Sequence, residues 1–301
     1  NAEVTGKEAD QEAKNASVVL VLDASNSMND PISGNTKKIV ALRNAATQFV
    51  NTLSDKSVDS EVSIIWYKGD EGKSGLTDTL GFQKLNPSGV TSLTSFINDT
   101  NRKIAGATPM GSALEAAYNQ LRNATKGNDK YVLFMTDGMP GYYDDGHYYS
   151  VFSGDCMTAN KALKYANEIK DSNDGKAVLY TVGVGLSEND GFYWTAGHSD
   201  TDDNNYLGHW HGDTSEHSWT KGSDFLANNI ASGSDHAYDA NNVTDLVNEF
   251  KLIAGKIGDL YTVQPASIVD VIDERFELTE DSIKALADKV IAGKKGKVNN
   301  S

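Results

Sequence analysis

A run of five apolar residues that stops at an acidic residue constrains this chain more than any other feature. Residues 18–22 read Val-Val-Leu-Val-Leu, and Asp23, Ser25 and Ser27 follow at alternate positions. An unbroken apolar run of this length is typical of a strand that is buried on both faces of a sheet. Carboxylate and hydroxyl oxygens are the ligands that a small divalent cation prefers. The segment therefore predicts a buried strand that ends in a metal-binding loop.

Two further segments supply oxygen ligands far along the chain. Residues 106–114 read Gly-Ala-Thr-Pro-Met-Gly-Ser-Ala-Leu and contain Thr108. Residues 131–138 read Tyr-Val-Leu-Phe-Met-Thr-Asp-Gly, a second apolar strand that runs into Asp137. Ligands of parallel sheets bind beyond the carboxyl ends of the strands, which is where Asp23 and Asp137 are expected to lie.

The three segments, in this order, resemble the metal-ion-dependent adhesion site of von Willebrand factor A domains. The resemblance implies that Ser25, Ser27 and Thr108 bind a cation directly, while Asp23 and Asp137 often act through water. It implies Mg2+, or else Mn2+ or Ca2+, with the last coordination position left for a carboxylate of the partner. Two carboxylates neutralise a dication, and the neutral hydroxyls leave it able to accept another anionic oxygen.

Asp-x-Ser-x-Ser by itself has a simpler explanation, because Asp and Ser favour helix caps and turns. Three matching segments in the family's order, two of them at strand ends, favour the metal site over that explanation.

Strands and helices alternate along the chain. Apolar runs and period-two alternation predict strands at 60–67, 79–85, 130–136 and 177–184, and helical spacing predicts helices at 37–53, 92–104, 112–121, 159–170 and 243–257, the last with Asn242 as N-cap. This order predicts an α/β fold: a Rossmann-like, doubly wound, mainly parallel sheet flanked by helices. The family resemblance implies the von Willebrand factor A fold.

The domain boundaries follow from changes in composition. Residues 1–16 are polar and predict a linker or an edge strand of an adjoining domain, and 17–258 form the A-like domain. Within it, 139–155 and 186–235 are too long for ordinary loops and predict insertions at the metal-bearing end. Residues 259–301 predict the start of a β-rich adjoining domain, so we expect the chain to be a segment of a longer protein.

Aromatic residues are concentrated in the two insertions, which suits either a contact surface or a small satellite core. The candidates for ligand contact are Tyr142, Tyr143, Tyr148, Tyr149, Trp194 and Trp210. Asp200, Asp202 and Asn204 place oxygen ligands at alternate positions and are weak candidates for a second ion, although a plain acidic turn explains them as well. His209 and His211 match no familiar zinc spacing.

Composition excludes several classes of function. A formal net charge of −15 and a pI near 4.7 argue against nucleic acid and anionic membrane surfaces as partners. No apolar run reaches the 18 residues that membrane insertion requires. The single cysteine, Cys156, excludes an internal disulfide.

The insertions and the segment Asp-Val-Ile-Asp-Glu-Arg-Phe-Glu-Leu at 270–278 resemble sortase-assembled pilus tip adhesins of Gram-positive bacteria. There the A domain adjoins an immunoglobulin-like domain. The resemblance implies an extracellular, cell-wall-anchored pilus protein that serves colonisation or virulence, with a host protein or glycan and other pilus subunits as partners. The alternatives are a structural A domain with a silent metal, and an intracellular metal-dependent assembly factor. An enzyme is not expected, because no positioned general base accompanies the motif.

Overall fold

The computed structural model describes residues 15–57, 59–70, 73–141, 156–171, 176–196 and 218–258. These residues belong to one compact unit, Lys14–Leu260. Residues 1–14 of the linker or edge strand predicted at 1–16, and the β-rich segment predicted at 259–301, lie outside the described residues.

The elements alternate as the sequence predicts. The strands are β1 (Ala16–Asp23), β2 (Pro31–Ser33), β3 (Thr36–Lys37), β4 (Glu61–Asp70), β5 (Lys73–Lys84), β6 (Asp129–Thr136), β7 (Ala177–Val184), β8 (Gly191–Trp194), β9 (Ser218–Lys221) and β10 (Ala237–Ala240). The helices are α1 (Lys38–Lys56), α2 (Pro87–Ile97), α3 (Met110–Leu121), α4 (Cys156–Asp171), α5 (Gly222–Phe225) and α6 (Val243–Gly258), and a 3-10 turn spans Asn26–Asn29.

The main sheet has six strands in the order β10-β7-β6-β1-β4-β5. Within the described part of the chain every pairing in it is parallel except β4–β5. The central strand β1 pairs with β4 on one side and β6 on the other, so the ends of β1 and β6 lie side by side. The predicted α/β, mainly parallel fold is confirmed.

Alternate residues of the strands pack into two separate hydrophobic cores, one on each face of the sheet. On β1, Val18, Leu20 and Leu22 pack with α1, α2 and α6, whereas Val19 and Val21 pack with α3 and α4. All five are fully buried. Burial on both faces explains the unbroken apolar run, because neither face of β1 meets water.

Several elements differ from the predictions. The helix predicted at 92–104 begins earlier, at Pro87, because Asn86 caps it by accepting a hydrogen bond from the Gly89 N–H at 2.9 Å. The short edge strand β10 was not predicted, and β8 and β9 form a separate antiparallel pair inside the predicted second insertion. Within the described residues no helix is both long and apolar enough to cross a membrane.

Candidate metal centre

The first loop of the centre leaves β1 and turns back at once. Asp23 Oδ1 accepts a hydrogen bond from the Ser25 N–H at 2.7 Å, which closes a turn and directs the serine hydroxyls to one side. Ser25 Oγ lies 3.1 Å from Ser27 Oγ. Asp23 and Ser25 are buried, whereas Ser27 is half-buried. The predicted Asp-x-Ser-x-Ser motif thus gathers its hydroxyls in one place.

The second loop is held against the first by the backbone. The Ala105 N–H donates to the Ala24 carbonyl at 3.0 Å, and the Asn26 N–H donates to the Gly106 carbonyl at 2.9 Å. Gly106 has φ +78°, and a methyl group there would lie 1.7 Å from the Gly69 carbonyl oxygen, so only glycine fits. This close approach brings the buried Thr108 to the end of β1.

The third loop completes the group. Ser27 Oγ donates to Asp137 Oδ1 at 2.7 Å although the two residues are 110 positions apart. A methyl group on Gly138 would lie 2.9 Å from Thr108 Oγ1 and 3.8 Å from Ser27 Oγ, so both hydroxyls face this glycine. The structure therefore brings the five predicted ligands together from three loops.

Asp23 is held by a second set of donors beneath the hydroxyls. Its Oδ2 accepts from Thr136 Oγ1 at 3.0 Å and lies 3.2 Å from the Tyr67 hydroxyl, which also lies 2.9 Å from the Met135 carbonyl oxygen. Burial, and then the negative charge of Asp137, raises the pKa of Asp23 to about 7. Burial also raises the pKa of Tyr67 well above 10, so this phenol stays protonated.

Asp137 has a cationic neighbour. Lys38 Nζ lies 3.0 Å from Asp137 Oδ2, and the lysine is only 9% exposed. Burial raises the pKa of Asp137, while the Lys38 charge and the hydrogen bond from Ser27 oppose that shift. Hydrogen-bond donors therefore contact both oxygens of each carboxylate and orient it.

The sequence motifs did not indicate the roles of Lys38, Tyr67 and Thr136. Lys38 lies four positions before Leu42 on the apolar stripe of α1, and a lysine on a buried stripe needs an anionic partner. Tyr67 lies on the face of β4 opposite Trp66, in register with Asp23. Periodicity places both residues on buried faces of their elements, whereas their contacts follow from tertiary packing.

The predicted ligand-contact residues fare differently. Trp194 is 6% exposed, stacks edge-on against Phe225 and donates from Nε1 to Thr220 Oγ1 at 3.0 Å. Its side chain is thus part of the main core on the α3 and α4 side of the sheet, which corrects its assignment to a contact surface. The other candidates, Tyr142, Tyr143, Tyr148, Tyr149, Trp210, Asp200, Asp202 and Asn204, lie outside the described residues.

The donor set suits a hard divalent cation. It consists of oxygen atoms alone, from two carboxylates and three hydroxyls, which is the chemistry that Mg2+ or Ca2+ selects. Burial raises the pKa of both carboxylates, and a nearby cation would stabilise their ionised forms. In the part of the chain that the structure describes, His, Cys, Asp and Glu form no group of three or more that could hold a metal, so a site here depends on the hydroxyls.

Known proteins share this arrangement of elements. Residues 18–139 match the family model of the von Willebrand factor type A domain, a span that includes all five predicted ligands. No curated protein matches the chain in sequence.

Solved structures with the same fold include bacterial pilus proteins. The pilus adhesin SpaC from Lactobacillus rhamnosus GG superposes with a TM-score of 0.58 at 17% identity, over 83% of this chain and 31% of SpaC. The PilB minor pilin from Streptococcus sanguinis gives 0.58 at 17% identity, over 84% of this chain and 64% of PilB. Proximal thread matrix protein 1 from the mussel byssus, with a zinc-occupied MIDAS motif, gives 0.50 at 16% identity, over 80% of this chain and 46% of that protein.

The chain thus spans under two thirds of each of these three proteins. At such identities the likeness shows the fold, and the family model covers the three segments of the metal motif. Residues 18–139 therefore match the von Willebrand factor type A domain, and the described residues share the fold of the pilus proteins that carry it.

Proposed function

We propose that this chain is a cell-surface adhesion module that captures a host protein or glycan through a divalent cation. Ser25, Ser27 and Thr108 would hold the ion directly, with Asp23 and Asp137 behind them. Mg2+ is the proposed ion, with Mn2+ or Ca2+ as alternatives of the same chemistry. When bound, the ion would supply one coordination position to a carboxylate of the ligand.

The hydrogen bond between Ser27 Oγ and Asp137 Oδ1 carries this proposal. It joins the first and third segments of the motif at 2.7 Å, with Ser25 Oγ 3.1 Å from the same serine. Hydroxyl oxygens convergent on a carboxylate form a compact set of oxygen donors, as a six-coordinate cation requires.

The pilus proteins with this fold support a location on a bacterial pilus. SpaC is a pilus adhesin and PilB a minor pilin. By analogy we propose an extracellular, cell-wall-anchored protein that takes part in colonisation and joins other pilus subunits outside this segment. The aromatic residues of the insertions, Tyr142 and Trp210 among them, are proposed to widen the contact surface.

Binding suits the geometry better than catalysis. Asp23 accepts hydrogen bonds at both oxygens, and Asp137 contacts Ser27 at one oxygen and Lys38 at the other. A general base needs an oxygen within reach of the proton that it removes, whereas these oxygens are already engaged.

Ion-dependent capture provides the test. We expect the wild-type chain to bind immobilised host matrix proteins or mucin glycans in Mg2+ and to release them in EDTA. Thr108→Ala should lose binding, because it removes a ligand without burying a new group. Thr91→Ala is the matched control, since Thr91 is exposed on α2 and its hydroxyl donates to the Pro87 carbonyl of the same helix.

Two outcomes would contradict the proposal. Equal binding in EDTA and Mg2+ would exclude an ion bridge. Stabilisation by Mg2+ without capture of any matrix component would favour the structural A domain whose metal is silent.

A further inference from the structure

Lys38 places a positive charge beside the candidate metal centre. It lies at the start of α1, the helix that follows the first loop. Its ammonium is 3.0 Å from Asp137 Oδ2, on the oxygen opposite the one that accepts from Ser27. The side chain is 11% exposed and that of Asp137 is 0% exposed, so water screens the pair weakly. The lysine therefore belongs to the centre as a fixed charge.

The path of the Lys38 side chain is set by its neighbours. The Lys38 N–H donates to the Asp30 carbonyl at 2.9 Å, which fixes the start of α1. A methyl group on Gly185 would lie 3.0 Å from Lys38 Cε and 3.6 Å from Nζ, so the lysine runs directly past the end of β7. Glycine at 185, with φ +65°, leaves this path open.

The charge count of the centre changes once Lys38 is included. When both are ionised, Asp23 and Asp137 together carry −2, which a dication alone would neutralise. With the ammonium of Lys38 the same site, filled with a dication, carries +1. The carboxylate of Asp30 also acts on Asp137, but it belongs to an exposed residue and is screened by water.

We propose that Lys38 supplies a permanent positive charge at the candidate metal centre. Its ammonium orients Asp137 through Oδ2 and weakens the binding of a divalent ion. The inference rests on the proposed function, because it assumes that these oxygens bind an ion. A positive charge beside the ion opposes its binding and leaves the filled site net positive toward an anionic ligand group. Lys38 is thus a positioning residue. Its charge lowers the affinity of the site for the ion and raises the attraction of the filled site for a carboxylate.

Calorimetric titration of the full chain with Mg2+ tests the inference. Lys38→Met and Lys38→Gln should both bind Mg2+ about tenfold more tightly than wild type, since each removes a unit charge next to a weakly screened carboxylate. Glutamine can still donate to Asp137 Oδ2, so it separates charge from hydrogen bonding. Lys37→Met is the matched control and should stay within about twofold of wild type, because Lys37 is exposed and its Nζ lies 3.4 Å from Asn29 Oδ1.

Thermal unfolding adds a readout that a merely structural lysine would not change in this way. Lys38→Met should melt below wild type in EDTA, where Asp137 lacks a counter-charge, and the gap should close in saturating Mg2+. Circular dichroism of both Lys38 variants checks that they fold.

The outcomes are distinct. Unchanged or weaker Mg2+ binding in both Lys38 variants would overturn the inference, as would wild-type affinity in Lys38→Gln with weaker binding in Lys38→Met. An equal loss of melting temperature with and without Mg2+ would reduce Lys38 to a structural role. Absence of Mg2+ binding in wild type would instead overturn the proposed function itself.

Discussion

Asp23 couples protonation to folding at the residue scale. Its folded pKa is about 7 against 3.8 for an ordinary aspartate, so between these values the folded chain binds one proton more than the unfolded chain. Stability therefore falls as pH rises. In metal-free buffer we expect the free energy of unfolding to decrease from pH 4 to pH 7 by on the order of 1 kcal/mol per pH unit. Urea unfolding at several pH values measures it.

The control for this dependence is a neutral amide. Asp23→Asn keeps an oxygen that can accept from Ser25 but cannot ionise, so it should flatten the slope. Asp59→Asn, which changes an exposed carboxyl, should leave the slope as in wild type. A slope in Asp23→Asn equal to that of wild type would assign the pH dependence to other groups.

Gly138 gives a second residue-scale prediction. A methyl group there would lie 2.9 Å from Thr108 Oγ1, so Gly138→Ala should displace this hydroxyl and weaken Mg2+ binding by about tenfold or more. Gly255→Ala is the control, since a methyl group at this position of α6 meets no described residue within 4 Å beyond the helix's own backbone, and alanine favours a helix. Titration calorimetry of both variants decides, and unchanged affinity in Gly138→Ala would place Thr108 outside the ion's ligands.

At the scale of elements, one arginine anchors the connection from α2 to Thr108. The Arg102 guanidinium lies 4.5 Å from the Phe96 ring centroid and 5.1 Å from that of Trp66, and it pairs with Asp78 on β5. Its side chain is 8% exposed, so these contacts are well shielded from water. The connection between α2 and the loop that contains Thr108 is thus tied to the sheet.

Loss of this anchor should act on both stability and the metal centre. Arg102→Met should lower the free energy of unfolding by about 2 kcal/mol, because it removes two cation–π contacts and a charged hydrogen bond. It should also weaken Mg2+ binding by loosening the segment before Thr108. Urea unfolding and calorimetry measure the two effects, with the exposed Arg122→Met as control. A variant with wild-type stability and wild-type Mg2+ affinity would show that the loop before Thr108 keeps its conformation without Arg102.

The elements that the sequence predicted correctly are long segments with a regular spacing of apolar residues. Helix α6 begins at Val243 with Asn242 as its cap, because the Asp245 N–H donates to Asn242 Oδ1 at 2.9 Å. Helix α2 was placed too late since the Asn86-Pro87 start signal precedes its apolar stripe. Strand β10 has only four residues, too few for alternation to be read.

At the scale of the whole molecule, the candidate centre was predictable because its parts lie at strand ends. Two apolar strands that run into aspartates must meet at one edge when they are parallel neighbours, as β1 and β6 are. The contacts of Lys38 and Tyr67 depend on tertiary packing between α1, β4 and the loops, which local patterns do not specify. Trp194 illustrates the same limit, because its partner Phe225 is distant in sequence.

An ion held by three loops should stabilise the whole domain. Ser27 and Asp137 are 110 positions apart, so the unfolded chain cannot present these ligands together and the ion binds the folded state. At a free Mg2+ concentration of 100 times Kd, the free energy of unfolding should rise by about 2.7 kcal/mol. Urea unfolding of the full chain with and without Mg2+ measures the rise, which Thr108→Ala should lose and Thr91→Ala should keep. Equal stabilisation of wild type and Thr108→Ala would mean that Mg2+ acts elsewhere on this acidic surface, and the three loops would then hold each other by hydrogen bonds alone.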